Sequence, residues 1–179
     1  MIKQIIVLVI ILYLVSLKSY IWYLPTIPVY PNNVEEANQV LLAVSTITYE
    51  EKQLFYSTNK TVSAAFAPYV VESENELTSM FLPYNSIILL FKYIINRPRP
   101  EQVNHFIKPL NTTTAQTPAY PAGHAMQAQL LANKLTKRYP EKKELFQKIA
   151  LKCDICRVKA GLHYYSDGEF GRRLANILS

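Results

Sequence analysis

Three short clusters hold most of the side chains in this sequence that can do chemistry. Lys92 is followed seven residues later by Arg99-Pro100. Pro121-Ala122-Gly123-His124 form a second cluster, and Arg157, His163 and Asp167 a third, at spacings of six and four. The chain has only three histidines and two aspartates, and two of the former and one of the latter fall within these clusters. Cations, a glycine amide, two histidines and an orienting carboxylate together suit the holding and transfer of a phosphate-like oxyanion. In that chemistry, positioning and charge stabilisation supply most of the catalysis.

Each cluster has its own physical logic. Pro98 and Pro100 stiffen the backbone around Arg99, which lowers the entropy lost in presenting its guanidinium. The planar fork of Arg matches two phosphate oxygens, while Lys92 adds a point charge. Arg97-Pro98 competes for the same role. Gly123 precedes the helical pattern of Met126 to Leu135, so its amide lies at a helix N-terminus, where N–H groups and the dipole favour an anion. His124 in that first turn is placed to protonate a leaving oxygen. Asp167, four residues after His163, shares a helical face with it and can hold Nδ1–H, leaving Nε2 as a nucleophile. Alone, the first cluster reads better as a solvated helix end and the second as a common Gly/Pro helix start, and the third is as compatible with a surface His–Asp pair.

Together they resemble the type 2 phosphatidic acid phosphatase and vanadium-dependent haloperoxidase superfamily. Its pattern is K-x6-R-P, then P-S-G-H, then S-R-x5-H-x3-D. Here it reads Lys92-x6-Arg99-Pro100, Pro121-Ala-Gly-His124, and Cys156-Arg157-x5-His163-x3-Asp167. Nine fixed residues in this order arise by chance on the order of once in a million such chains, given ordinary residue usage. The family spacing selects Arg99 over Arg97. The resemblance implies a metal-independent phosphatase acting on phosphomonoesters, lipid phosphates or pyrophosphates through a phosphohistidine. In it His163 is nucleophile, Asp167 its orienting partner and His124 the general acid and base. Lys92, Arg99, Arg157 and the Gly123 amide hold the phosphoryl oxygens. No metal or other cofactor is implied, except vanadate under the haloperoxidase alternative; the further alternative is a non-catalytic anion-binding domain.

Two departures from the pattern stand out. Ala122 replaces the usual Ser, which removes a hydroxyl worth roughly 1.5–3 kcal/mol to a charged partner. Cys156 replaces the Ser before Arg157, a lesser change.

Composition sets the frame around these clusters. At 179 residues, half of them apolar and only four glycines, the chain suits a single all-α domain. The expected fold is a compact bundle of about five to seven helices with the site at one end, preceded by an N-terminal hydrophobic helix. The net charge of +6 is moderate and forms no basic run or aromatic-interleaved stripe, which argues against nucleic acid. Residues 1–24 read as a signal-anchor or signal peptide, with membrane attachment through residues 5–24. The apolar run from Ile5 to Leu17 is short for a span unless Lys18 snorkels. Either reading exports the domain, to an extracytoplasmic or lumenal side. Residues 25–33 carry three prolines and form a stiff linker, and 34–179 form the helical domain.

Within that domain Asn33 is the expected N-cap of a first helix, with Glu36 completing a capping box. Val34, Ala37, Val40, Leu41, Val44 and Ile47 form its apolar stripe. One or two short helices are expected over 50–70. A helix from Ser73–Glu76 is broken at Pro83 and resumes from Asn85 to Asn96. Residues 101–120 form a loop, and helices follow over 122–139, 141–159 and 166–178. From residue 34 onward no stretch reads as a convincing membrane span, since the best candidate, 80–95, contains Pro83, Asn85 and Lys92. Cys153 and Cys156 fall on one face of a helix with Leu145 and Ile149, which makes them packing residues rather than a redox motif. His105 reads as an exposed loop histidine, and Tyr164 and Tyr165 as packing residues.

Overall fold

The computed structural model describes residues 30–179. The predicted signal or anchor segment and most of the linker therefore lie outside the described residues. Regular structure among the described residues is helical throughout. It comprises α1 (Asn33–Ser45), α2 (Tyr49–Ser57), α3 (Ser63–Phe66), α4 (Glu74–Phe81), α5 (Asn85–Ile95), α6 (Pro100–Val103), α7 (Gly123–Arg138), α8 (Lys143–Lys159) and α9 (Tyr165–Leu178). The all-α expectation holds, and seven of these helices are eight residues or longer.

Local chemistry explains most boundaries. Ser73 caps α4, and Glu76 closes the capping box by accepting the Ser73 amide at 2.8 Å. Pro83 imposes a 3-10 turn, Leu82–Tyr84, before α5 resumes. Asn96 ends α5 in the left-handed region (φ 52°, ψ 45°), which turns the chain into Arg97-Pro98-Arg99-Pro100. Pro100 then opens α6, so the expected loop over 101–120 begins with a short helix; Pro is well suited to a first helical position.

The first helix departs from expectation in a way that matters below. Asn32, not Asn33, caps α1, its side chain accepting from Val34 N at 2.8 Å. Glu36 makes no capping box and points inward at 5% exposure, whereas Val34 is 59% exposed. The inward stripe is Asn33, Glu36, Ala37 and Val40, rotated from the one that apolar residues alone mark.

The main core forms where α7 packs against α8, α9 and α4. Met126, Leu130 and Leu135 of α7 are fully buried, together with Leu77, Phe146 and Ala150. Full burial of each large side chain contributes roughly 1.5–3 kcal/mol. Cys153 and Cys156 are buried and free, their thiols pushed up by burial to about 12 and about 11, so both act as small apolar residues.

Two glycines set the geometry near the clusters. Gly161, at φ +78°, reverses the chain after α8, a conformation L side chains rarely adopt. Gly171 lets α9 approach the start of α7, because a Cβ there would stand 2.9 Å from the Ala122 carbonyl oxygen. The stretch Glu74–Val103, which runs from α4 to α6, is by length and composition apolar enough to cross a membrane, contrary to expectation, and 22% of its most apolar 18-residue window is buried. Its outward face includes Leu89, Leu90 and Ile94, all exposed.

Candidate functional site

The third cluster is assembled by the turn between α8 and α9. Arg157 lies in the last turns of α8, Gly161 reverses the chain, and His163 precedes α9 while Asp167 sits in its first turn. Asp167 Oδ2 accepts the Tyr164 amide at 2.9 Å, fixing the carboxylate at the helix start. His163 Nδ1 lies 3.1 Å from the same oxygen, and its Nε2 lies 3.1 Å from Arg99 Nη1. A guanidinium can only donate, so Nε2 is the bare nitrogen and Nδ1 carries the proton given to Asp167. The pairing expected from the i, i+4 spacing is present in the fold.

Arg99 reaches this histidine from the turn after α5. Its Nε donates to Thr117 O at 2.9 Å and its Nη1 to Leu162 O at 2.7 Å. Lys92, one helical turn before Asn96, donates to Pro118 O at 2.5 Å and weakly to Ala119 O at 3.4 Å. The two cations thus pin the segment from Thr117 to Ala119, which leads into the second cluster. There Gly123 is the first residue of α7, and first-turn amides have no acceptor within the helix. A Cβ at Gly123 would meet only Ile88 Cγ2, at an ordinary 3.6 Å, so internal packing does not account for this glycine. Ala122, at the N-cap, is fully buried; its amide donates to Asp167 O at 3.0 Å, joining the second and third clusters.

Arg157 and His124 meet at one main-chain carbonyl. Thr58 O accepts from Arg157 Nη2 at 2.7 Å and lies 3.1 Å from His124 Nε2, which therefore carries the proton. The Arg157 guanidinium lies 4.5 Å from the centre of the Phe55 ring, with Nε and Nη1 buried and without hydrogen-bond partners. Buried donors in that condition cost about 1–3 kcal/mol each and mark a place suited to acceptor oxygens.

The electrostatics follow from this crowding of cations. His163 is held well below the usual histidine range, first by burial and then by Arg99, Lys92 and Arg157. His124, half-buried, is lowered by burial, Arg157 and His163, against the upward pull of the Asn59 and Thr58 backbone. Both imidazoles are neutral at pH 7. Burial pushes Asp167 up, while Arg97, the Tyr164 amide and Lys92 pull it back. An ion pair with Arg97 at 2.6 Å keeps it a carboxylate.

Six of the residues singled out in the sequence therefore occupy neighbouring positions, linked by hydrogen bonds and mutual fields, and Gly123 adjoins His124 in the chain. His105 is exposed, as expected, and Tyr164 is buried under Arg97. Sequence reasoning missed three groups. Arg97 does not share the role of Arg99 but backs Asp167 from inside the fold. Glu36 pairs with Arg97 at 2.6 Å; its signal was a carboxylate on the inward stripe of an amphipathic helix. Thr58 acts through its carbonyl, which has no sequence signature. Among the described residues, no group of three or more His, Cys, Asp and Glu is arranged to hold a metal ion. A groove of about 500 Å³ lined by Glu51, Leu54, Leu145 and Lys152, among others, contains none of these site residues.

An all-α bundle with this ordered set of cations, imidazoles and helix N-terminus defines a class. The model of the PAP2 superfamily matches residues 76–178, and the chain belongs to that family. Among solved structures it resembles a transmembrane PAP2-type phosphatidylglycerolphosphate phosphatase from Bacillus subtilis. The TM-score is 0.59 at 19% identity, covering 99% of this chain and 92% of that one. No curated protein matches.

Proposed function

We propose that this protein is a phosphatase that hydrolyses phosphomonoesters, without a catalytic metal, through a phosphohistidine at His163. The observation that carries the reading is the setting of His163, with Nδ1–H on Asp167 and bare Nε2 against Arg99. An incoming phosphoryl group takes the N–H bonds of Arg99, Lys92, Arg157 and the Gly123 amide, and so releases the Nε2 lone pair. Nε2 attacks phosphorus as the bond to the leaving oxygen breaks. Charge spread over the phosphoryl oxygens is stabilised by the three cations and the helix N-terminus.

His124 supplies the proton to the leaving oxygen. It is neutral in the free site, but a phosphate dianion beside it offsets Arg157, and the Thr58 carbonyl favours the imidazolium. Neutral His124 then takes a proton from water. The water oxygen bonds to phosphorus, the P–N bond breaks, and phosphate leaves. Asp167 stabilises the positive charge that His163 carries in the intermediate.

The setting we infer is a membrane surface. Residues 5–24 form an apolar segment, and the exposed leucines and isoleucine of α5 present a second apolar surface. Phosphorylated lipids are therefore included among the candidate substrates.

The test is to incubate the full chain with a panel of soluble and lipid phosphate monoesters, with EDTA and separately with vanadate. Activity that survives EDTA, is inhibited by vanadate and labels His163 with 32P is expected. Activity rescued only by a divalent cation, or label at His124, would overturn the assignment. Halide oxidation by peroxide in the presence of vanadate, with no phosphatase activity, would select the haloperoxidase reading instead.

A further inference from the structure

Arg97 is among the largest fully buried side chains, and every side-chain nitrogen has a partner. Nη1 donates to Asp167 Oδ1 at 2.6 Å and to Ser166 Oγ at 2.7 Å. Nη2 donates to Glu36 Oε2 at 2.6 Å, and Nε to Asn33 Oδ1 at 3.0 Å. The guanidinium carbon lies over the rings of Tyr164, 3.8 Å from the ring centre, and of Tyr30, at 4.1 Å. Glu36 does more than neutralise it. Its Oε1 accepts the Ser166 amide at 3.1 Å and its Oε2 the Ser166 hydroxyl at 2.5 Å, so it also satisfies first-turn donors of α9. The helix that carries Asp167 is thereby anchored from α1, which lies outside the matched residues 76–178.

We infer that Arg97 and Glu36 are positioning residues for the reaction, setting the orientation and effective charge of Asp167 and, through it, the tautomer of His163. This inference rests on the reading of His163 as nucleophile. Glu36, Arg97, Asp167 and neutral His163 together carry a net charge of −1, which becomes zero when His163 turns cationic on phosphorylation. Without Arg97, Asp167 Oδ1 has lost its ion-pair partner, and only the Tyr164 amide on Oδ2 still holds the carboxylate toward Nδ1. Without the Glu36 charge, Arg97 cancels Asp167 more fully, and the carboxylate stabilises the cationic intermediate less. Neither residue needs to touch substrate, so ground-state oxyanion binding is left to Lys92, Arg99 and Arg157.

Measurements on full-length Glu36→Gln, Arg97→Lys and Arg97→Met test this. The expected result is a fall in kcat of about 10- to 100-fold for Arg97→Met, by analogy with the range for outer-shell partners of metal-ligating histidines. A smaller loss is expected for Glu36→Gln, and partial recovery in Arg97→Lys. Inhibition by inorganic phosphate, a ground-state ligand, should stay within about threefold of wild type in all three, the signature of an interaction made in the transition state rather than in binding. Inhibition by vanadate, which takes the five-coordinate geometry of the transition state, should weaken along with kcat. Arg97→Met leaves two buried carboxylates without their partner. Should it fail to fold, the Arg97→Met/Glu36→Gln pair removes the opposed charge as well, and Glu36→Gln alone keeps a near-identical shape. Unchanged kcat in folded variants would overturn the inference, as would phosphate affinity falling in step with kcat. His163→Ala separates the two readings. If that variant is active the nucleophile is misassigned, whereas an inactive His163→Ala beside a fully active Arg97→Met refutes only the positioning role.

Discussion

Replacing Arg157 with methionine should cost activity far more than it costs the fold. In the free protein this guanidinium is buried; Nη2 bonds Thr58 O, the ring of Phe55 lies beneath it, and Nε and Nη1 have no partners. Methionine relieves two unsatisfied donors, at about 1–3 kcal/mol each. It loses two charged hydrogen bonds, to the Thr58 carbonyl at 2.7 Å and the Thr58 hydroxyl at 3.1 Å, about 1.5–3 kcal/mol each, and a cation–π contact of about 0.5–2 kcal/mol. The two sums overlap, so stability should stay within about 2 kcal/mol of wild type, or roughly 4–8 °C in Tm for a domain of this size. Breaking a paired buried charge typically costs about 3–5 kcal/mol instead. Activity should fall far more. Two N–H bonds to phosphoryl oxygens, about 1.5–3 kcal/mol each, correspond to about 10²- to 10⁴-fold in kcat/KM.

Differential scanning fluorimetry with and without vanadate reads both halves of this prediction. Ligand at about a hundred times its Kd stabilises wild type by about 2.7 kcal/mol, and Arg157→Met should lose most of that shift. A variant destabilised by several kcal/mol that still responds fully to vanadate would show that Arg157 is structural, and that its unpartnered nitrogens do not face the ligand.

Two further outcomes follow from the site. His163 and His124 are held below the ordinary histidine pKa, so the unfolded chain binds more protons as pH falls; their contribution to stability is complete above pH about 6.5 and is lost on descending through the depressed values. Tm should decline on acidification with a shallower slope in His163→Asn, and the acid limb of wild-type kcat/KM should fall below pH about 6.5; equal slopes would place the titration elsewhere. Ala122→Ser adds a hydroxyl at the uncapped N-terminus of α7, and vanadate inhibition should tighten about tenfold or more for a gain of roughly 1.5–3 kcal/mol. A higher Tm with unchanged inhibition would mean that the hydroxyl caps the helix instead.

The sequence by itself carried the helical class, most helix boundaries and the membership of the main clusters. These depend on local physics: Ser73 with Glu76, Pro83 and the apolar spacing of α7 each act within a few residues. The His163–Asp167 pair was legible for the same reason, because a helical first turn brings positions four apart onto one face. Tertiary structure alone decided which arginine does what. Arg97 and Arg99 sit in the same proline-rich turn, yet one is sealed between Glu36 and Asp167 while the other meets His163 Nε2. That partition depends on α1 and α9 converging from distant parts of the chain. The inward turn of Glu36 was hidden for a related reason: apolar periodicity ranks a carboxylate as solvent-facing, and only a buried guanidinium reverses that preference. Thr58 was invisible because it contributes a peptide carbonyl, which every residue possesses and only the fold can aim.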